Sequence, residues 1–296
     1  MSLPPSRSSV AIPVMVILIS MISIQSGASL AKTLFPLIGA TGITALRLGL
    51  ATLILSIIFR PWRLRFRREQ RWPLICYGLA LGGMNYLFYL SIRTVPLGIA
   101  VALEFTGPLA LALLGARRPL DFVWVVLAVL GLVFLLPLGQ DFSAVDPLGA
   151  GLAVGAGACW AVYILTGQRA GADHGPATVA MGSLIGALVF VPLGVGFSQL
   201  DHWSWSLLPL GLLLAVLSSA LPYSLEMVAL TRLPARTFGT LMSLEPAMAA
   251  LSGMLFLGEW LTLTQCLALL AIIAASMGAT LTVRGKATIT PLERPD

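Results

Sequence analysis

Charged residues are scarce in this sequence. Only 10% of its 296 residues are charged, against about a quarter in a soluble globular domain. So few charged side chains would not cover a water-exposed surface. The hydrophobic share of 58% exceeds the roughly 45–50% of soluble domains. Lipid is the solvent that fits this composition.

Residues that support enzyme chemistry are also few. The two histidines, His174 and His202, fall in predicted loops on opposite sides of the membrane, and three cysteines lie far apart inside apolar stretches. No Walker motif, zinc-ligand spacing or Gly-x-Ser-x-Gly turn is present. We therefore expect no metal or cofactor, no ATP-driven pumping by this chain alone and no enzymatic activity.

Long apolar runs, by contrast, are abundant. A membrane-spanning helix needs about 20 mostly apolar residues, and proline, glycine and charge divide the chain into ten such runs. They are residues 10–30, 38–59, 73–92, 97–116, 122–138, 148–166, 176–197, 207–230, 235–257 and 262–283. The prediction is an all-α integral membrane protein with ten transmembrane helices. The alternative for the first run, a cleaved signal peptide, is disfavoured because the run is longer than a typical signal core.

The positive charges are concentrated in alternate loops. Six arginines lie between the second and third runs, whereas residues 140–146 and 199–202 include no Lys or Arg. Because Lys and Arg favour cytoplasmic loops, both termini are predicted to be cytoplasmic. The net charge of +6 is thus a topology signal, and we expect contact with membrane lipid and none with nucleic acid.

Two parts of the sequence match at a constant offset of 138 residues. Pro96 matches Pro234, and Pro108 matches Pro246. The repeat unit would contain five helices, at 1–140 and 141–284, followed by a cytoplasmic tail at 285–296. Because five is odd, the second unit would be inverted relative to the first around a central cavity, an arrangement typical of secondary transporters.

The predicted helices contain few ionisable side chains, each of which costs about 2.5–3.5 kcal/mol within a bilayer. These candidates are Glu104, Glu226, Glu245, Arg47 and, at the outer end of the first run, Lys32. A glutamate could bind the ammonium of a zwitterionic solute, and Arg47 or Lys32 its carboxylate. Since burial favours the neutral form of a carboxyl group, a glutamate also suits a proton carrier. A structural ion pair of Arg47 with Glu104 or Glu245 is the alternative.

Polar side chains on three runs share a helical face and would line one cavity. These stripes are Gln25, Ser29 and Lys32; Gly78, Gly82, Asn85 and Tyr89; and Ser219, Tyr223 and Glu226. The tyrosines could equally serve packing. Gly107, Pro108 and Pro246 are hinge candidates because a proline inside a helix removes a hydrogen bond, with ordinary kinks as the alternative.

Several motifs carry a family resemblance. Residues 84–90 (MNYLFYL), 94–98 (TVPLG) and 243–246 (SLEP) resemble the EamA-type branch of the drug/metabolite transporter superfamily. Residues 27–32 (GASLAK), 102–108 (ALEFTGP) and 221–226 (LPYSLE) resemble, within that branch, the threonine/homoserine exporters of enteric bacteria.

This resemblance implies two inverted five-helix halves in the bacterial inner membrane and a cavity that includes Asn85, Tyr89, Glu104, Tyr223, Glu226 and Glu245. It also implies export of threonine, homoserine and similar small amino acids, driven by protons. Efflux of another metabolite or drug is the alternative. A membrane-embedded lipid-modifying enzyme is disfavoured, since no nucleophile, base or metal cluster is found. The oligomeric state is left open, and a monomer would suffice.

Overall fold

The structure, a computed structural model, describes residues 7–65, 67–114, 119–135, 146–171, 174–198, 204–232 and 241–282. Within these ranges every regular element is helical. In chain order the α-helices are α1 (residues 7–37) and α2 (residues 40–59), α3 (Arg68–Ser91), α4 (Leu97–Glu104), α5 (Thr106–Leu114), α6 (Pro119–Leu135), α7 (Pro147–Ala170), α8 (Pro176–Gly196), α9 (Leu207–Ala215), α10 (Leu221–Arg232), α11 (Glu245–Ser252) and α12 (Leu263–Thr282). The remaining elements in these ranges are a 3-10 turn at Pro61–Arg63 and π-helical turns at Val216–Ala220 and Gly253–Leu257.

A kink separates α1 from α2. Ile38 and Gly39 leave the helical conformation, and Gly39 has a φ of 75°, which residues with a Cβ rarely adopt. The apolar part, Met15–Phe59, has 45 residues and would extend about 68 Å as one straight helix. That is roughly twice the thickness of the hydrocarbon core, so the kink fits two crossings. It lies at the first residues of the predicted run 38–59, and residues 31–37, predicted to connect the two runs, continue the first helix.

Within the described ranges, five helical stretches are long and apolar enough to cross a membrane: Met15–Phe59, Arg68–Ser91, Pro147–Gly167, Ala177–Gly196 and Leu207–Glu226. Shorter apolar helices occupy Leu97–Leu111, Phe122–Gly131, Glu245–Leu257 and Leu263–Gly278. Large apolar side chains such as Ile57, Val126 and Leu267 are exposed, as on a lipid-facing surface. The chain is therefore a multi-pass membrane protein, and the count of ten crossings stays a prediction.

Two of the predicted runs are interrupted helices. Run 97–116 breaks at Phe105, between α4 and α5, because Pro108 has no N–H to donate to the Glu104 carbonyl. In run 235–257, residues 243 and 244 form a turn before α11, which has Pro246 in its first turn. Residues 115–118 and 233–240 lie outside the described residues.

Glycines allow α3 and α8 to approach closely. A Cβ placed on Gly78 would lie 2.8 Å from the carbonyl oxygen of Gly182, and one on Gly186 would lie 2.8 Å from that of Gly78. The contact therefore needs glycine on both helices. It holds α3 in the bundle interior, where this helix contributes several side chains to the site described below.

At the start of α7, Asp146 links the helix to the segment before α4. Its carboxylate accepts hydrogen bonds from the Thr94 hydroxyl at 2.9 Å and from the backbone N–H of Gly149 at 3.0 Å. The Thr94 bond, followed by that of Gly149, lowers the pKa of Asp146. This residue thus caps α7 and joins it to the chain that leads into α4.

Candidate functional site

A cavity lies in the interior of the bundle. Its volume is about 50 Å³, which leaves room for only a few water molecules at about 10–15 Å³ each. Its polar wall residues are Gln25, Arg47, Asn85, Tyr89, Glu104, Tyr163, Ser218, Tyr223, Glu226 and Glu245, and Met84, Phe88 and Trp160 are among the apolar ones. The structure thus brings together seven of the predicted site residues: Arg47, Asn85, Tyr89, Glu104, Tyr223, Glu226 and Glu245.

Arg47, on α2, is the buried cation of this cavity, with 1% of its surface exposed. Its Nη1 donates to the Ser219 hydroxyl at 2.6 Å, and its Nη2 donates to Oδ1 of Asn85, also at 2.6 Å. The guanidinium carbon lies 4.2 Å from the centre of the Tyr89 ring, within cation–π range. Among the described residues Arg47 forms no ion pair, so the proposed pair with Glu104 or Glu245 is not observed.

Asn85 connects three helices through its amide. Its Oδ1 accepts from Arg47 on α2 and, at 2.9 Å, from the Tyr223 hydroxyl on α10. Its Nδ2 donates to the Leu81 carbonyl at 2.7 Å, one turn earlier on α3. This last bond fixes the orientation of the amide, so that its oxygen faces the two donors.

Three carboxyl groups share the cavity wall, each with a different set of partners. Oε1 of Glu226 accepts from the Ser20 hydroxyl at 3.0 Å, and Oε1 of Glu245 accepts from Nε2 of Gln25 at 3.3 Å. Oε2 of Glu245 is buried and has no hydrogen-bond partner among the described residues. Glu104 is 8% exposed, and its carboxyl group has no hydrogen bond within the described part of the chain. The cavity therefore holds three acids and one guanidinium.

The hinge candidates lie next to these acids, although none of them lines the cavity. Glu104 ends α4 immediately before the break, and Glu245 begins α11 immediately after the other one. A Cβ on Gly107 would overlap the carbonyl oxygen of Gly157. Gly107 therefore allows α5 to cross α7 at close range.

Lys32 lies away from the cavity wall. Its Nζ contacts Oε1 of Glu259 at 2.5 Å and donates to the Val95 carbonyl at 3.1 Å. The other oxygen of Glu259 accepts from the backbone N–H of Leu97 at 2.7 Å, at the start of α4. The structure therefore places Lys32 in a contact between three segments and gives its predicted role in binding a carboxylate no geometric support.

Some wall residues were not among the predicted site residues. The sequence places Gln25 in a polar stripe and does not indicate its hydrogen bond to Glu245, which joins residues 220 positions apart. Trp160 and Tyr163 share a face of α7 at i, i+3 spacing, which was the one signal available for them. Ser20, the partner of Glu226, had no distinguishing pattern.

Known proteins resemble this chain in sequence and in fold. Residues 147–281 match the EamA-like transporter family. The threonine/homoserine exporter RhtA of Salmonella typhimurium (strain SL1344) is 75% identical, with 92% of each chain covered. RhtA of Escherichia coli (strain K12) is 71% identical over 95% of this chain and 96% of that protein.

The fold is shared more widely than the sequence. A crystal structure of a protein with 19% identity aligns with a TM-score of 0.63 over 93% of this chain and 96% of that one. The relatives at 71–75% identity are named as exporters, which are transporters and not enzymes. With this identity over most of its length, the chain belongs to the EamA-like transporter family.

Proposed function

We propose that this protein exports threonine, homoserine and similar small amino acids from the cytoplasm by antiport with protons. The observation that carries the proposal is a membrane-embedded cavity whose wall combines one guanidinium with three carboxyl groups. A zwitterion needs both signs of charge in its site. The relatives named threonine/homoserine exporter, at 71–75% identity, supply the choice of substrate.

The surplus of carboxyl groups supports coupling to protons. Ionising all three acids would leave two negative charges without a cationic partner on the wall. Such charges are costly inside a membrane, so protons or the ammonium of a substrate must offset them. Because protons and the ammonium both offset the negative charge of the same three-acid wall, proton entry from outside weakens binding of the amino acid, and amino acid binding inside favours release of the protons.

Two inverted five-helix units, residues 1–140 and 141–284, would let the cavity open to either side. The two helix breaks support this division, because Phe105 and Ser243 differ by the same 138 positions as the sequence repeat. The packing supports the division too, since α3 lies along α7 and, in the equivalent pair, Ser20 and Ser23 of α1 donate hydrogen bonds to the carbonyls of Pro222 and Leu217 in the α9–α10 segment. The contact of α2 with α8, which includes the hydrogen bond from Thr52 to the Ser183 carbonyl, and the contact of α6 with α12 fit the same symmetry.

In this topology both termini face the cytoplasm and the protein lies in the bacterial inner membrane. The contact of Lys32 with Glu259 then closes the periplasmic end of the bundle. It joins α1, the start of α4 and the segment after α11. Opening to the outside requires these segments to separate, so the ion pair would break once in each cycle.

Overproduction in bacterial cells tests the substrate. Cells that make the wild-type protein should tolerate an excess of threonine or homoserine and should accumulate these amino acids outside. The matched control is Glu226→Gln, which preserves the shape of the side chain and removes its charge. Unchanged tolerance in cells whose membranes contain the wild-type protein would reject these substrates.

A further inference from the structure

Four polar atoms on residues of the cavity wall are buried and lack any hydrogen-bond partner among the residues that the structure describes. They are Oε1 of Gln25, Nε of Arg47, the hydroxyl of Tyr89 and Oε2 of Glu245. All four residues are more than nine-tenths buried. Buried polar groups in folded proteins almost always have a partner, so four unsatisfied groups at one cavity indicate that the cavity binds a polar ligand.

These atoms form two neighbouring pairs of opposite character. Arg47 and Tyr89 are in contact, with the guanidinium 4.2 Å from the ring centre, and they offer an N–H and an O–H as donors. Gln25 and Glu245 are in contact through the 3.3 Å hydrogen bond between them, and they offer two acceptor oxygens. The donor pair lies on α2 and α3, and the acceptor pair lies on α1 and α11.

We propose that the donor pair, Arg47 and Tyr89, binds the carboxylate of the substrate and that the acceptor pair, Gln25 and Glu245, binds its ammonium. A carboxylate only accepts hydrogen bonds and an ammonium only donates them. An α-amino acid therefore carries one group for each pair, and the cavity of about 50 Å³ has to widen to admit it. This assignment rests on the proposed function of amino-acid export and leaves Glu104 and Glu226 to exchange protons.

Substrate analogues with one charged group each distinguish the two pairs. Threoninol keeps the ammonium of threonine and lacks its carboxylate, whereas 3-hydroxybutyrate keeps the carboxylate and lacks the ammonium. Binding is measured by competition with labelled threonine on the purified full-length protein in lipid nanodiscs. The variants are Tyr89→Phe, which removes one unpartnered hydroxyl, and Gln25→Met, which removes the amide at similar volume.

The proposal predicts a crossed pattern. Tyr89→Phe should lower the affinity for threonine and for 3-hydroxybutyrate by about tenfold, because one hydrogen bond to a charged group is lost. Its affinity for threoninol should not change. Gln25→Met should lower the affinity for threonine and for threoninol and leave the affinity for 3-hydroxybutyrate unchanged. The control is Ser91→Ala, which removes another buried hydroxyl without a partner in the described part of the chain, on a residue outside the cavity wall, and it should change none of the three affinities.

Equal losses for all three ligands, or no loss in either variant, would overturn the two-pair assignment. If the wild-type protein binds threonine while the crossed pattern is missing, the assignment fails and the exporter function stands. A third outcome is that threonine does not bind but another amino acid does. If the amine and carboxylate analogues of that amino acid show the crossed pattern, the assignment stands and the proposed substrate fails. Absence of binding by every amino acid in a panel of small zwitterions would reject both.

Discussion

Gly107 on α5 and Gly157 on α7 are in backbone contact. A Cβ on Gly107 would overlap the Gly157 carbonyl oxygen, and a Cβ on Gly157 would overlap the carbonyl oxygen of Glu104. The two glycines thus set the distance between the broken α4–α5 helix and the neighbouring wall of the cavity. Any side chain at either position must push the helices apart.

Gly107→Ala is therefore expected to destabilise the protein by about 1–3 kcal/mol, the usual cost of overpacking, and to reduce export. Thermal unfolding of the purified protein and export by whole cells measure the two effects. Gly151→Ala is the matched control on α7, since nothing lies within 4 Å of a Cβ there, and it should behave as wild type. A Gly107→Ala protein as stable and active as the control would show that the close approach is dispensable.

The amide of Asn85 holds Arg47 and Tyr223 in place. Asn85→Leu removes their shared acceptor, and we expect a loss of about 1–3 kcal/mol in the free energy of unfolding because a buried charge and a hydroxyl lose a partner. Asn85→Asp keeps an acceptor oxygen at the same place, so its free energy of unfolding should fall less than that of Asn85→Leu. Equal melting temperatures for Asn85→Leu and wild type in detergent would mean that the network contributes nothing to stability.

A proton carrier must be able to ionise, which Glu226→Gln prevents. We expect this variant to fold and to lose transport driven by a pH gradient, because glutamine occupies nearly the same volume and cannot take up or release a proton. Glu69→Gln is the control, since Glu69 is exposed in the first turn of α3. Normal gradient-driven transport by Glu226→Gln would assign the proton to another acid.

Breaking the ion pair of Lys32 with Glu259 should favour the outward-open state. Glu259→Gln keeps an oxygen to accept from the Leu97 N–H and loses the charge. A partly exposed pair contributes about 0.2–1 kcal/mol, so the shift should be at most about fivefold. A cysteine placed at Val101, on the cavity wall, should react that much faster with a thiol reagent added from the periplasmic side.

The reaction rate of the cysteine at Val101 is measured in two proteins, one that also carries Glu259→Gln and one that carries Glu69→Gln as the control. The reagent must be unable to cross the membrane, so that only the outer opening is sampled. A rate that does not change in Glu259→Gln would mean that the ion pair does not restrain the outer end.

The sequence predicted the wall of the site better than its internal contacts. Glu104, Glu226 and Glu245 could be placed in the interior because acids facing lipid are costly, and the structure brings them to one cavity. The break before α5 could be predicted in the same way from Pro108, which lacks an N–H. Both inferences depend on a single residue and its surroundings, and need no knowledge of distant parts of the chain.

Contacts between distant residues were beyond sequence reasoning. Lys32 contacts Glu259 across 227 positions, and no local pattern indicates that the segment after α11 returns to the start of α4. Arg47 likewise has neutral partners on α3 and on the π-helical turn Val216–Ala220, instead of the acids considered for it. Such pairings are set by how the helices pack, which periodicity does not specify.

Counterflow of labelled threonine in proteoliposomes with an imposed pH gradient tests the central claim most directly. The purified protein is the only transporter present, so uptake in exchange for internal unlabelled threonine reports its own cavity. We predict that labelled threonine accumulates transiently and that the direction of the pH gradient changes the net flux. Two results would contradict proton-coupled export of threonine. One is that correctly inserted protein shows no counterflow, and the other is that the net flux does not depend on the direction of the pH gradient.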